Sequence, residues 1–87
     1  VDIDWEYPVG KGAKDNSQRP EDAENFVLLL TELRAQLTAR SNLTGQPYLL
    51  TIAAGNDREQ YASLDWAHIH PLLDWINVMS YDLYGAW

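Results

Sequence analysis

The chain has 87 residues, no cysteine and a formal net charge of −7, and 46% of it is hydrophobic, with four Trp and five Tyr. That apolar content excludes a disordered acidic tail, and the acidic balance excludes nucleic acid and anionic membrane as partners, since both demand basic patches; it fits a neutral or cationic ligand better. The absence of cysteine excludes a disulfide framework and a thiolate metal site without fixing the compartment, and no apolar run approaches the roughly 20 residues of a membrane span.

The chain opens "VDIDWEYP", in which Val1, Ile3 and Trp5 alternate with Asp2, Asp4 and Glu6. This period of two predicts a strand over residues 1–5 with two unlike faces. "PVGKGAKDNSQRP", residues 8–20, is rich in Gly, Pro, Asn, Asp and Ser and reads as a loop. Pro20 suits the first turn of a helix, with Glu21 and Asp22 well placed for the helix dipole. From Ala23 to about Arg40, Phe26, Leu30, Leu33 and Leu37 recur at helical spacing, and Val27 and Leu29 widen the stripe. Arg34 and Arg40 fall late in this helix, as the dipole favours. Residues 41–47, "SNLTGQP", form a returning loop, and residues 48–54, "YLLTIAA", a short buried strand. After the turn "GNDREQ", a short helix is expected between Arg58 and Leu73, with Leu64, Trp66 and Ile69 as core candidates and Pro71 interrupting it. Residues 75–81, "WINVMSY", form a third strand rich in β-formers.

Strand, helix, strand, helix, strand predicts parallel βαβ units in an α/β fold. A parallel sheet needs cover on both faces, and three strands with two helices cannot supply it. A (β/α)8 barrel takes about 250 residues, so this chain would be about a third of one. No signal peptide is visible, the first residue is Val already inside a strand pattern, and the chain ends "YDLYGAW". The expectation is part of one barrel domain, truncated at both ends, so the missing signal says nothing about export.

Side chains at i, i+2 and i+4 of a strand share a face, which puts Asp2, Asp4 and Glu6 together, with neighbours about 6.6 Å apart along the strand. Carboxylates this close cannot ionise independently, and the proton affinity of at least one must rise. A carboxylic acid that keeps its proton near neutrality can serve as a general acid. Glu6 is the leading candidate, being nearest the C-terminal end of the strand, where α/β barrels place their catalytic groups. Taken alone, the pattern fits a solvated acidic face on an edge strand better. A cation site would need a glycine turn and irregular backbone, which Ile3 and Trp5 oppose. The third strand adds weight to the catalytic reading. "NVMSYD" sets Asn77, Met79 and Tyr81 on one face, with Asp82 just past the strand end. Met79 has an ordinary role in core packing. Trp87 could stack on a sugar ring or anchor a loop.

These residues resemble the motifs of the family 18 glycoside hydrolases, the chitinase family. "VDIDWEYP" is similar to the core of the signature D-G-x-D-x-D-W-E, and "MSYD" to the family's second motif, M-x-Y-D, at the end of the sixth barrel strand. "RPEDAENFVLLLTELR" and "YLLTIAAG" also resemble bacterial members. The likeness runs over essentially the whole chain; the first Asp and the Gly of the signature would precede Val1. It implies a fragment of a (β/α)8 TIM barrel, from about strand 4 through strand 6 with the two intervening helices.

The resemblance further implies a secreted, endo-acting chitinase that cleaves β-1,4-linked N-acetylglucosamine polymer, chitin or chito-oligosaccharides, as a monomer and without a metal or cofactor. Glu6 would be the general acid. Asp4 would hold the acetamido N–H of the substrate, and Asp2 would share a proton with Asp4. Tyr81 would bind the acetamido oxygen and Asp82 the sugar hydroxyls. Met79 would floor the pocket, Tyr7 line it, and Trp87 stack on the leaving-group side. The attacking group would be the substrate's own acetamido oxygen, with retention at the anomeric carbon. Two other functions share these motifs: a chitin-binding lectin, which generally lacks the acid that Glu6 supplies, and an endo-β-N-acetylglucosaminidase acting on N-glycans. The sequon Asn42-Leu43-Thr44, expected in a surface loop, reads as a chance match in a chain of bacterial character.

Overall fold

The computed structural model describes residues 1–5, 21–55 and 61–79. They form β1 (Asp2–Ile3), α1 (Asp22–Thr44), β2 (Thr51–Gly55), α2 (Trp66–Ile69), a 3-10 turn (His70–Leu72) and β3 (Trp75–Met79). The strands pair in parallel and in chain order, β1–β2–β3. Asp2 and Thr51 are register partners, as are Ile3 and Ile52, while Ile52 also pairs with Ile76, and Thr51 with Trp75.

This register separates two faces. Ile3, Ile52 and Ile76 form one row, and the buried core of Phe26, Leu30, Leu50, Ile52 and Ile69 gathers on their side. Phe26 and Leu30 come from α1 and Ile69 from α2, so both crossover segments cover the same face of the sheet. Full burial of such side chains stabilises by about 1.5–3 kcal/mol each. Trp5 extends the contact beyond β1, meeting Phe26 edge to face with centroids 5.6 Å apart. A doubly wound sheet puts crossovers on both faces and reverses its strand order; here, among the described residues, order is sequential and helix cover one-sided, as in a barrel wall.

The helix runs further than its apolar pattern predicts. Residues 41–44, expected as loop, complete α1, which ends where Gly45 adopts φ 72° and its N–H donates to the Ser41 carbonyl. Glycine takes this left-handed geometry without strain, so Gly45 decides the stop, about two turns after Leu37, the last residue of the helix that packs on the core. Asn42 therefore lies, exposed, on the last helical turn rather than in a loop. No basic residue falls in that last turn, so neither Arg34 nor Arg40 meets the helix C-terminus. Leu29 is 40% exposed and does not join the buried stripe.

Arg34 instead makes a tertiary contact. Its guanidinium donates to Asp74 Oδ2 at 3.1 Å and to the Tyr48 carbonyl at 2.9 Å. The same Asp74 oxygen accepts the Leu50 N–H at 2.8 Å, while the Asp74 N–H donates to the Leu50 carbonyl, also at 2.8 Å. The Leu50 N–H thus holds its hydrogen bond to a side chain and the Tyr48 carbonyl is taken by Arg34, which explains why β2 begins at Thr51 and not at Tyr48. The hydrogen bond from Leu50, reinforced by Arg34, holds the Asp74 carboxyl below the usual carboxylate range against partial desolvation. The second helical region is short, as expected: Pro71 sits in the first turn of the 3-10 segment, and Leu64 and Trp66 pack at the rim of the core around Ile69. β1 is shorter than its alternation predicts. β3 reaches Met79, and Ser80 and Tyr81 lie outside the described residues.

Candidate active site

The face turned away from the helices carries the acids. Ile3 and Trp5 pack toward the core, so by strand alternation Asp2 stands on the opposite side, with Asp4 two residues on. Both are exposed. Along β2 the same face presents Thr51, Ala53 and Gly55, and along β3 Trp75, Asn77 and Met79, which are their register partners. Side-chain bulk on β2 falls from Thr to Ala to Gly toward the C-terminal end of the strand. Ala53 and Gly55 place little side-chain bulk beside their partners Asn77 and Met79, a pattern found where a ligand approaches a backbone closely.

Thr51 joins the acids to the central strand. Its hydroxyl donates to Asp2 Oδ1 at 2.7 Å, and it is buried between two register partners, Asp2 and Trp75. Trp75 is 51% exposed on this face. Met79 is half-buried. The structure thus brings Asp2 and Met79 to one side of one sheet, with Asp4 exposed just past the end of β1. Glu6, Tyr7, Tyr81, Asp82 and Trp87 lie outside the described residues. No group of three or more His, Cys, Asp or Glu with metal-holding geometry occurs among the described residues.

The sequence reading missed the contribution of β2. It treated "YLLTIAA" as a uniformly buried strand, whereas Leu50, Ile52 and Ala54 face the helices and Thr51, Ala53 and Gly55 the acids. The signal is an alternation of size in Leu50-Thr51-Ile52-Ala53, large against small at a period of two; Ala53 and Ala54 do not differ, and only the register separates their faces.

Comparison with known proteins bears on this face. The family described as Glycosyl hydrolases family 18 matches residues 1–87. The chain is 49% identical over 87 residues to Chitinase A1 of Niallia circulans, covering all of this chain and 12% of that protein. Among solved structures it superposes on the chitinase ChiW of Paenibacillus sp. str. FPU-7 with a TM-score of 0.90 at 46% identity, over 99% of this chain and 10% of that one. It also superposes on a family 18 N-acetylglucosaminidase of Paenibacillus barengoltzii, with a TM-score of 0.88 at 37% identity, over the whole of this chain and 25% of that one.

Proposed function

The chain belongs to family 18 of the glycosyl hydrolases, and from that premise we propose that it forms part of the catalytic (β/α)8 barrel of a chitinase. Residues 1–87 lie within one domain and supply about strand 4 through strand 6. The substrate is β-1,4-linked N-acetylglucosamine polymer, met outside the cell by a monomeric enzyme that cuts within chains. The observation that carries this reading is the 49% identity to a chitinase over the full 87 residues. The one-sided helix cover and sequential strand order support the barrel placement, because the acid face then becomes the barrel lumen. Cell-surface expression, stated for the Paenibacillus chitinase, supports action outside the cell.

Family 18 is a recognised exception to the two-carboxylate scheme of glycoside hydrolysis, using the substrate's own acetamido group. In that scheme Glu6 protonates the glycosidic oxygen. Asp4 accepts the acetamido N–H and stabilises the charge that develops on the group, and Asp2 shares a proton with Asp4. Tyr81 donates to the acetamido oxygen, so Asp4 and Tyr81 grip one group from two sides. Asp82 binds hydroxyls near the scissile bond, Met79 floors the pocket, Tyr7 lines it and Trp87 stacks on the leaving-group side. Holding the attacking oxygen against the anomeric carbon is a proximity effect, worth several kcal/mol of the barrier.

The N-acetylglucosaminidase of Paenibacillus barengoltzii favours a second reading, release of terminal N-acetylglucosamine instead of internal cleavage. Partly deacetylated chitosan tests the chemistry common to both. Without an acetyl group there is no internal nucleophile and nothing for Asp4 and Tyr81 to grip. Products should carry N-acetylglucosamine at their new reducing ends, with the β configuration retained. Mass-spectrometric sequencing of those ends, with early-time NMR of the anomer, decides it; glucosamine at most ends, or an inverted anomer, would overturn the assignment. Product length separates the two readings: oligomers mean internal cleavage, monosaccharide alone means terminal release.

A further inference from the structure

The open face carries a hydroxyl with no task in the scheme above. Thr51 is 5% exposed, and its Oγ1 lies 2.7 Å from Asp2 Oδ1 and 3.5 Å from the Val1 carbonyl. That carbonyl already accepts the Thr51 backbone N–H at 2.9 Å. A hydroxyl has one proton to give, and the shorter contact, to a partner with an open lone pair, takes it. Among the described residues β2 and β3 present Ala53, Gly55, Trp75, Asn77 and Met79 beside Thr51 on this face, none of which titrates. Asp4 is the neighbouring carboxylate on the same chain segment, and the Val1 nitrogen is engaged with the Leu49 carbonyl at 2.6 Å.

We propose that Thr51 is a positioning residue for the acid pair: its hydroxyl holds Asp2 Oδ1 and so fixes the rotation of the Asp2 carboxylate, which sets how that carboxylate meets Asp4, the group it shares a proton with. This rests on the reading of Asp2 as the proton partner of Asp4. The central strand suits the task. Thr51 is held on both sides by ladder partners and is almost closed to water, so its hydroxyl has little freedom to turn elsewhere. Deleting the hydrogen bond should therefore loosen the carboxylate.

The test uses an enzyme that carries these 87 residues in a complete barrel. Thr51→Val removes the hydroxyl and keeps the shape. It should lower kcat about tenfold, the scale expected for a hydrogen bond to a charged group. KM should stay within about twofold, because the sugar contacts are untouched. A loss confined to kcat is one that a merely structural role would not produce, and Thr51→Ser should restore it. Where Thr51→Val folds poorly, Thr51→Ala against Thr51→Ser, a pair differing by one oxygen, gives the same readout. In the Asp2→Asn background, Thr51→Val should add little, since both act through one carboxylate. A parental kcat in Thr51→Val, beside an impaired Asp2→Asn, would overturn the role of Thr51 alone. A parental kcat in Asp2→Asn would overturn the reading of Asp2 itself.

Discussion

Glu6 is the residue on which turnover should depend most sharply. Gln keeps the shape of Glu but has no acid proton to give, so in a complete enzyme Glu6→Gln should abolish nearly all turnover, a loss of at least about a hundredfold. Binding to insoluble chitin should change little, because stacking and hydroxyl contacts remain. Parallel assays of hydrolysis and pull-down on chitin check it, and substantial residual turnover would mean that another group donates the proton. The 2.7 Å bond from Thr51 fixes Asp2 to the open face, opposite the side that packs through Ile3 and Trp5, and Asp4 is exposed just past the end of β1.

Among the elements, the junction of α1, β2 and β3 depends on a single carboxylate. Asp74 closes the ladder at Leu50 and receives Arg34 from α1, so three elements meet at one oxygen. Its proton affinity is lowered in the folded protein, chiefly by the Leu50 N–H. A carboxyl held below its ordinary value stabilises the fold above that value. The contribution is lost as pH falls through the lowered one, in the region below about pH 4. In a complete enzyme, the thermal midpoint of the parent should therefore fall more steeply over this range than that of Asp74→Asn. Asn can still accept from Leu50 but cannot pair with Arg34 and does not ionise. Thermal melts at stepped pH measure this, and equal slopes would show that Asp74 contributes no proton-linked stability. The junction lies at the start of β3, whereas Met79 lies at its end; the change should leave the pH profile of turnover alone.

As a whole, the chain spans 12% of the Niallia chitinase and 10% of the Paenibacillus one. Its acid face has no covering layer among the described residues, and on the helix side Val78 is 61% exposed beside a groove lined by Ala54, Trp66 and Ile76. In a closed barrel, the lumen would fill the first gap and the helix after β3 the second. Among the described residues few large side chains are fully buried, and β1 and β3 stand at the edges of the sheet. The 87 residues by themselves should show no chitin hydrolysis and no cooperative thermal transition. Calorimetry on the monomeric 87-residue chain tests this, and a sharp transition would show that these elements stabilise one another without the rest of a barrel.

The period-two alternation of "VDIDW" was enough to separate the acids from the core-facing Ile3 and Trp5, because a strand has only two sides. The apolar spacing of α1 identified Phe26 and Leu30 as buried for the same geometric reason, and the two separated motifs pointed to the family that the comparison establishes. The length of α1 was not legible from its stripe, since its last turn makes no core contact and ends on the backbone of Gly45. The partners of Arg34 and the acceptor of Thr51 were not legible either. Arg34 meets Asp74 across 40 positions and Thr51 meets Asp2 across 49, and no local pattern encodes contacts that strand register creates. Periodicity reports which side of an element a residue occupies; only the pairing of one strand with another decides which residue stands opposite it.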